Sequence, residues 1–272
     1  MDIGTAKPTS EERAKIPHHL IDIRDPSEQF NAGEFVRLAE EAIYSAASRS
    51  ALPVVSGGTG FYLKNLVMGL GEAPPSDTEK RRELREELER RGAVSLMSEL
   101  AEVDPVSAGR IHVNDEYRLL RAMEVYRLSG RPLSSFASAW SRENRESTVE
   151  SSLNFQIVGI KRNREELYRR INERTAAMFR AGLPGEVKHL YEKGFTPADP
   201  GLRAIGYREF FVENGNNQWR LSEDLAGVEA LVAQNSRRYA KRQITFFASI
   251  PGVNWIDAES ENEAEIIIKS MV

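Results

Sequence analysis

A glycine-rich segment between an apolar run and an amphipathic run most constrains the fold of this chain. The stretch PVVSGGTGFYLK contains Gly57, Gly58 and Gly60. We predict a buried strand over LPVVS, a tight turn at the glycines and a helix after them. Such a turn leaves backbone N–H groups pointing outward near a helix N-terminus, where an anion binds well. The turn lacks the lysine of G-x-x-x-x-G-K-[ST], so it is not an ordinary nucleotide P-loop, and glycines that serve only close packing are the alternative.

The segments before the turn predict a parallel α/β sheet. Leu20 to Ile23 is predicted to be a short strand that ends at Asp25-Pro26, because proline cannot continue a ladder. An amphipathic pattern predicts a helix from Asn31 to about Ser48, before the LPVVS strand. Alternation of strand and helix is typical of a parallel sheet.

After the turn, the pattern changes to helices. Two prolines precede a capping-box pattern at Ser76-Asp77-Thr78-Glu79, which opens a charged helix predicted to stop near Gly92. A second helix is predicted from Asp115 to Ser129, ended by Gly130. The polar stretch 141–152 is predicted to be an exposed return loop, and NFQIVGI to be a strand. We therefore predict an α/β core over 1–75 and 146–272, interrupted by a helical insertion over 76–145.

Composition excludes several classes of protein. The net charge of −4 shows no global attraction to nucleic acid, so a basic patch would have to be local. Zero cysteines exclude disulfides, thiolate metal sites and a cysteine nucleophile. The four histidines lack zinc-ligand spacing, and no metal ligand is assigned. Without an apolar run of about 18 residues or a secretion signal, the chain is predicted to be cytoplasmic.

One arginine is predicted to lie on an apolar helix face. In REELYRRINERTAAMF, Leu167, Ile171 and Met178 recur at helical spacing, and Arg174 falls on the same stripe. A buried guanidinium needs an anion, because it stays charged. A phosphate and a buried ion pair with Asp or Glu are both consistent with this pattern.

A basic cluster is predicted near the end of the chain. In QNSRRYAKRQITFF, Arg237 and Lys241 are four residues apart, as are Arg238 and Arg242. Like charges at this spacing repel mildly unless an anion faces them. The interleaved aromatic residues favour a phosphate or RNA site over a solvated basic face.

Two further groups allow two interpretations each. Arg118 and Arg121 lie one helical turn apart, close to Arg110 and His112, and suit either a nucleic-acid backbone or a solvated face. The tandem His18-His19 precedes a predicted strand, which favours a packed, hydrogen-bonded pair over a catalytic role.

Long motifs in a fixed order resemble the bacterial tRNA dimethylallyltransferase family. They are MDIGTAKPTSEERAKIPHHLIDIRDPSEQF, SGGTGFYLK, RIHVNDEYRLLRAMEVYRLSGRPL, LRAIGYREF and RRYAKRQITFF. The resemblance implies transfer of a dimethylallyl group from dimethylallyl diphosphate to the exocyclic amine of the adenosine just 3′ of the tRNA anticodon, with Mg²⁺. It also implies a P-loop NTPase-like parallel sheet with a helical insertion that binds the anticodon stem-loop. The protein is predicted to be a monomer.

The resemblance also implies roles for individual residues. Thr59 would line the reaction channel and contact the tRNA, and Arg174 would face the diphosphate; these two are the catalytic assignments. The predicted diphosphate-binding residues are Gly57, Gly58, Gly60, Arg174 and Arg237. The predicted tRNA-binding residues are Thr59, Arg81, Tyr117, Arg118, Leu119, Leu120, Arg121, Arg203, Ala204, Ile205, Gly206, Tyr207, Arg208, Lys241, Arg242, Gln243, Ile244 and Thr245. Thr5 and Lys7 would either reach the allyl donor or shape the channel entrance.

The chain departs from the family pattern at its start. Family members carry a first strand, a P-loop and an Asp-Ser motif before the equivalent of Met1, about fifty residues in all. The missing aspartate would be the general base, and the missing loop would hold diphosphate and metal. This chain alone is therefore expected to be inactive or nearly so, which a comparison with a chain extended upstream would test. The alternatives are a tRNA-binding remnant without transferase activity and a small-molecule transferase acting on AMP.

Overall fold

The structure, a computed structural model, describes residues 1–136, 153–215 and 218–258, together with Glu265 and Lys269. The predicted return loop at 141–152 and the end of the predicted insertion, 137–145, lie outside these residues. The chain divides into two compact units. The first combines Met1–Lys64 with Leu153–Val272, and the second is Asn65–Ser152. The two units are described separately below.

The first unit is mainly helical and carries the strands. Its helices are α1 (Ser10–Lys15), α2 (Ala32–Ala47), α3 (Gly60–Met68, which crosses the unit boundary), α8 (Arg164–Arg180), α9 (Leu183–Glu192) and α10 (Leu225–Phe247). Its strands are β1 (Ile157–Lys161), β2 (Phe211–Glu213), β3 (Trp219–Leu221) and β4 (Val253–Asp257). Strand β1 confirms the strand predicted at NFQIVGI, and α2, α3, α8 and the second half of α10 confirm four predicted helices.

Side-chain caps explain where the long helices begin. Asn31 accepts a hydrogen bond from the backbone N–H of Glu34 at the start of α2. Asn163 accepts one from the N–H of Glu165 at the start of α8, and Asp224 accepts one from Gly227 at the start of α10. Each cap satisfies an N–H group that has no partner within its helix.

The parallel sheet of the described residues is small. Strands β1 and β4 pair in parallel, with Ile157 opposite Val253 and Lys161 opposite Asp257. A parallel pair needs a long crossover connection, and here α8, α9 and α10 all lie between the two strands in the chain. Strands β2 and β3 form a separate antiparallel pair. The α/β class is thus confirmed.

Two predicted strands are wrong. Leu20 and Asp22 have φ angles of 61° and 56°, in the left-handed region, which no strand adopts. The LPVVS segment is not a strand either, and Leu52 and Val54 are 75% and 62% exposed. The described residues contain no strand beside it, so its backbone groups have no ladder to join.

The core of the first unit lies around α9 and the N-terminal half of α10. Leu183, Val187 and Leu202 are fully buried there, together with the ring of Tyr207. Val228 and Val232 of α10 complete this cluster. The core thereby holds α10 in place.

The second unit is helical where it is described. It contains α4 (Thr78–Arg91), α5 (Ala93–Val103), α6 (Pro105–Ala108) and α7 (Glu116–Ser129). Leu84, Leu96, Leu100, Leu119 and Met123 are completely buried in its core. Both predicted glycine stops are confirmed: Gly92 ends α4 and Gly130 ends α7, with φ angles of 79° and 68° that glycine adopts without strain. No helix of the described residues is long and apolar enough to cross a membrane.

Candidate functional site

The glycine-rich turn rests on the C-terminal half of α10. The carbonyl oxygen of Gly58 accepts hydrogen bonds from Gln243 Nε2 at 2.9 Å and from the Tyr239 hydroxyl at 3.1 Å. It also accepts the backbone N–H of Gly60 at 3.0 Å, which closes the turn. The contact with α10 therefore fixes the position of the turn in the first unit.

Two of the three glycines are required for this close approach. A Cβ atom on Gly58 would overlap the side chain of Gln243, and one on Gly60 would overlap the ring of Phe246. A Cβ atom on Gly57 would meet nothing within 4 Å. None of the three has a positive φ angle. Close packing thus accounts for Gly58 and Gly60, whereas it does not account for Gly57.

The turn presents polar groups at the N-terminus of α3. In the described part of the chain, the backbone N–H groups of Gly57, Gly58 and Thr59 have no hydrogen-bond acceptor. Thr59 is exposed, and its carbonyl oxygen accepts the N–H groups of Tyr62 and Leu63. Free N–H groups at the positive end of a helix dipole are suited to an anion.

The Arg242 side chain of α10 lies near the turn. The Arg242 guanidinium is 5.7 Å from the centre of the Tyr239 ring, whose hydroxyl contacts Gly58. Arg242, Arg238 and Lys241 are exposed, and no described carboxylate lies within 4 Å of any of them. These cations are therefore available to an external anion.

A second contact joins α10 to α8. Arg237 Nη1 donates a hydrogen bond to Asn172 Oδ1 at 2.5 Å, and its guanidinium lies 6.0 Å from the centre of the Tyr168 ring. Because a helix turns about 100° per residue, Arg237 and Tyr239 lie on nearly opposite sides of α10. The turn and α8 thus pack on different sides of the same helix.

Arg174 does not lie on the buried stripe of α8, so that prediction is wrong. Its side chain is exposed, and the buried position is the neighbouring Thr175. On the same helix, Arg169 is paired with Glu166 at 2.7 Å and with Glu173 at 2.6 Å. Arg174 has no carboxylate partner among the described residues, which rules out within them the ion pair considered as an alternative.

Lys64 is a residue that the sequence reasoning missed. Its ammonium lies 5.8 Å from the centre of the Phe246 ring, one helical turn after the glycines. Burial lowers the pKa of Lys64, because it disfavours the charged form. The spacing within SGGTGFYLK, which places Lys64 four residues after Gly60, was a signal that could have identified it.

The N-terminal segment is held by a partly buried carboxylate that the sequence reasoning also missed. Glu186 of α9 accepts the backbone N–H groups of Asp2, Ile3 and Gly4, and the Tyr207 hydroxyl at 2.5 Å. Burial would raise the pKa of Glu186, but these hydrogen bonds hold it below its usual value. Tyr207, a predicted tRNA contact, therefore lies in the core with its hydroxyl occupied.

The other N-terminal residues make local contacts. Thr5 Oγ1 donates to the carbonyl oxygen of Met1 at 2.8 Å, and Lys7 forms ion pairs with Asp2 and Asp22. His18 and His19 are both exposed, so the prediction that they form a packed pair is wrong.

The LRAIGYREF segment contains both exposed side chains and side chains that are hydrogen-bonded within the protein. Arg203 donates to the carbonyl oxygens of Pro197 at 3.0 Å and Ala198 at 2.7 Å. Arg208 and Ala204 are exposed, Ile205 is partly buried and Gly206 is buried. Arg208 is thus the cation of the LRAIGYREF segment that is free to meet a phosphate in the described structure.

Near the C-terminal end of α10, Ile244 and Thr245 are exposed, as is Lys241.

In the second unit, Arg81 and Arg121 surround a buried carboxylate. Glu124 is 0% exposed and accepts hydrogen bonds from Arg121 Nη1 at 2.7 Å and Arg81 Nε at 3.2 Å. Ser76 Oγ and the N–H of Asp77 complete its shell at 2.8 and 2.7 Å. Burial would raise the pKa of Glu124, but its donors hold it below its usual value. Arg121 and Arg81 are therefore oriented rather than freely solvated.

The neighbouring residues of α7 divide between core and surface. Leu119 and Leu120 are buried, whereas Tyr117 and Arg118 are each 70% exposed. Arg118 pairs with Asp115 at 3.4 Å. Of this predicted tRNA-binding stretch, Tyr117 and Arg118 are the side chains presented to solvent.

The described residues contain no group of three or more His, Asp or Glu side chains placed to hold a metal ion. The Mg²⁺ expected from the resemblance stays a prediction, and no step below depends on it.

Comparison with known proteins identifies the family. The profile described as IPPT, IPP transferase, matches residues 1–249. The tRNA dimethylallyltransferase of Geobacter sulfurreducens is 41% identical over 257 residues, which cover 94% of this chain and 79% of that protein. Tyr168, Glu186 and the other residues described above lie within the range that the profile matches.

Solved structures show the same relationship. The full-length tRNA isopentenylpyrophosphate transferase of Bacillus halodurans matches 100% of this chain with a TM-score of 0.64 and 34% identity, and 82% of that protein is covered. A solved structure of a eukaryotic dimethylallyltransferase acting on tRNA matches 98% of the chain with a TM-score of 0.72 and 25% identity, and 67% of that protein is covered. From its sequence motifs, its profile match and these relatives, the chain belongs to the IPP transferase family.

Proposed function

We propose that this chain transfers a dimethylallyl group from dimethylallyl diphosphate to the exocyclic amine of the adenosine just 3′ of a tRNA anticodon. The observation that carries the proposal is the set of exposed cations on α8 and α10 that have no described carboxylate partner. Arg174 of α8 and Arg238, Lys241 and Arg242 of α10 lack carboxylate partners in the described structure, whereas Arg169 and Arg170 of α8 are paired.

Such cations match the charge that the reaction develops. When the bond between the allylic carbon and the diphosphate oxygen breaks and the carbon bonds to the adenosine amine, the departing diphosphate gains negative charge, which preorganised cations and N–H donors stabilise. Arg174 and Arg237 are proposed to face the diphosphate from the α8 side of α10, whereas the turn that carries the N–H groups of Gly57 and Gly58 packs on the other side of that helix. Arg237 is held for this by Asn172, and the turn by Gln243.

The RNA is proposed to contact both units. Thr59, Arg208, Lys241 and Arg242 present exposed groups in the first unit, and Arg118 does so in the second. Adenosine must leave its stack to react, at a cost of a few kcal/mol that contacts to the loop backbone can offset. A helical insertion over 76–145 that binds the stem-loop, a monomeric state, Mg²⁺ binding by the family's machinery and a cytoplasmic location remain predictions.

An assay with a labelled donor tests the proposal. Labelled dimethylallyl diphosphate is incubated with an anticodon stem-loop that carries adenosine at the acceptor position, or guanosine in its place. The assay uses this chain and a chain extended upstream of Met1. Label on the adenosine stem-loop only, with either protein, supports the proposal. Label on neither RNA with both proteins, or equal label on both RNAs, contradicts it.

A further inference from the structure

A buried carboxylate ties the LRAIGYREF segment to α10. Glu209 of that segment is only 9% exposed. Its Oε1 atom accepts the side-chain amide N–H of Asn235 at 2.8 Å, and its Oε2 atom accepts the backbone N–H of Gly206 at 2.9 Å. Because an ionised carboxylate only accepts hydrogen bonds, these two donors hold both of its oxygens. Glu209 therefore joins the turn of the segment to the helix.

Packing does not explain a carboxylate at this position. The neighbouring residues Tyr207 and Phe210 belong to the apolar core of the first unit. Among the described residues, no Arg, Lys or His side-chain nitrogen lies within 4 Å of the Glu209 carboxylate. Burial of a charge without a counter-charge is unfavourable, so packing alone would favour an apolar side chain. What the carboxylate contributes is therefore its two hydrogen bonds.

Asn235 begins a polar stripe along α10. Asn235, Tyr239 and Gln243 follow one another at four-residue spacing, which places them on one face of the helix. Asn235 holds the LRAIGYREF segment through Glu209, whereas the other two side chains hold the carbonyl oxygen of Gly58. Eight residues of α-helix rise about 12 Å, so the stripe docks two distant segments of the chain at a set spacing.

We propose that Glu209 is a positioning residue: through Asn235 it fixes the place of Arg208 relative to the glycine-rich turn. This inference rests on the proposed function, in which Arg208 and Thr59 both contact the RNA. Arg208 directly precedes Glu209 and is exposed, so its backbone is anchored while its guanidinium is presented to solvent. A cation on an anchored backbone loses less freedom on binding a phosphate than a cation on a loose segment does.

A bond with only a structural role would act differently. Its loss would lower the free energy of unfolding, but the molecules that remain folded would bind RNA as before. Loss of a positioning bond weakens the RNA complex of fully folded molecules and reduces the contribution that Arg208 makes to it. The coupling between Glu209 and Arg208 in RNA affinity therefore separates the two roles.

Isosteric exchanges test the inference. Glu209→Gln replaces one acceptor by an amide that faces a second donor, on Asn235 or Gly206. Adding Asn235→Asp restores both bonds with carboxylate and amide exchanged, at the same side-chain lengths and net charge. Asn235→Ala removes only the bond to α10. Affinity for a fluorescent anticodon stem-loop is measured for the chain and these variants, each with and without Arg208→Ala, and urea unfolding gives the folded fraction. Glu213→Gln, at an exposed glutamate of β2, is the matched control.

The expected result is a loss of affinity that the exchange repairs. Glu209→Gln and Asn235→Ala each weaken RNA binding of the folded protein roughly 2- to 30-fold and shrink the effect of Arg208→Ala. Glu209→Gln with Asn235→Asp recovers both, and Glu213→Gln changes neither. Unchanged affinity in Asn235→Ala, or an Arg208→Ala effect that is equal in all backgrounds, overturns the inference and leaves the proposed function standing. Absence of any RNA binding by the unsubstituted chain overturns both.

Discussion

Gln243 and Gly58, 185 residues apart in the chain, are joined by a hydrogen bond of 2.9 Å from the Gln243 amide to the Gly58 carbonyl oxygen. This bond holds the glycine-rich turn against the last long helix. It connects the motif that first suggested an anion site to the helix that carries the unpaired cations. The two features are therefore parts of one arrangement in the first unit.

The glycine turn gives a prediction with an internal control. Gly60→Ala is expected to lower the free energy of unfolding by about 1–3 kcal/mol, because its Cβ would overlap the Phe246 ring. Gly57→Ala is expected to change it by less than about 0.5 kcal/mol, because no atom lies within 4 Å of the added methyl group. Urea unfolding of the two variants measures this difference. Equal losses in both would show that packing on α10 does not set the glycine requirement.

The cations of α10 give a prediction about salt. The double variant Lys241→Ala with Arg242→Ala is expected to bind an anticodon stem-loop more weakly and to reduce the slope of log affinity against log salt by about 1 to 2. The control replaces by alanine two exposed lysines, Lys188 within α9 and Lys193 directly after it. An unchanged slope in the α10 variant, or the same loss in the control, argues against a phosphate contact there.

The N-terminal segment gives a prediction about hydrogen exchange. Glu186→Gln is expected to speed exchange at Ile3 and Gly4 and to lower the free energy of unfolding by about 1–3 kcal/mol, because a charged acceptor of several hydrogen bonds is lost. Glu192→Gln on the same helix is the control. Glu192 is exposed, and its ion pair with Lys188 is long, at 3.8 Å. If exchange at Ile3 and Gly4 is as slow in Glu186→Gln as in the unsubstituted chain, the carboxylate does not hold the segment.

An ion-pair network in the second unit gives a prediction about pH. Glu87 is bonded to Arg127 and Arg91, and the Arg127 hydrogen bond is the main cause that lowers the pKa of Glu87 to about 2. A carboxylate with a folded-state pKa below its unfolded value stabilises the fold above the unfolded pKa and loses that effect as pH falls. The contribution of Glu87, on the order of 1–3 kcal/mol, should therefore disappear between about pH 4.5 and pH 2.

Chemical unfolding across this pH range measures the effect. The difference in unfolding free energy between the unsubstituted chain and Glu87→Gln is expected to be largest above about pH 5 and to shrink toward pH 2. A difference that stays constant between pH 5 and pH 2 would mean that Glu87 titrates normally in the folded chain.

The helices could be predicted from the sequence because their signals are local. Apolar spacing and caps such as Asn31 and Gly130 define α2, α7 and α8 within a few residues. The strands could not be predicted equally well, since a strand needs a partner that periodicity does not reveal. The predicted strand at Leu20 is wrong, because the φ angle of Leu20 lies in the left-handed region. Strand β4 was not predicted, because only its pairing with β1 makes it a strand.

The candidate site was predicted in part for a similar reason. The spacing of the charges predicted the basic cluster of Arg237, Arg238, Lys241 and Arg242, because these residues lie on one helix with a clear period, whereas Gln243 was predicted only from the family resemblance. Helix periodicity placed Arg174 wrongly, because it does not show which elements cover a given face. The carboxylates Glu124 and Glu186 escaped notice because their donors are distant in sequence and include backbone N–H groups.

The most direct test of the account compares two variants, Arg174→Ala and Arg169→Ala, in their rate of dimethylallyl transfer to an anticodon stem-loop. Each variant is made in this chain and in a chain extended upstream. Both arginines are exposed on α8, but only Arg169 is paired with carboxylates. The account predicts that Arg174→Ala lowers the rate about 10²- to 10³-fold, while Arg169→Ala leaves it unchanged. Transfer by Arg174→Ala at the unsubstituted rate would contradict the central claim that the unpaired cations of α8 and α10 stabilise the departing diphosphate.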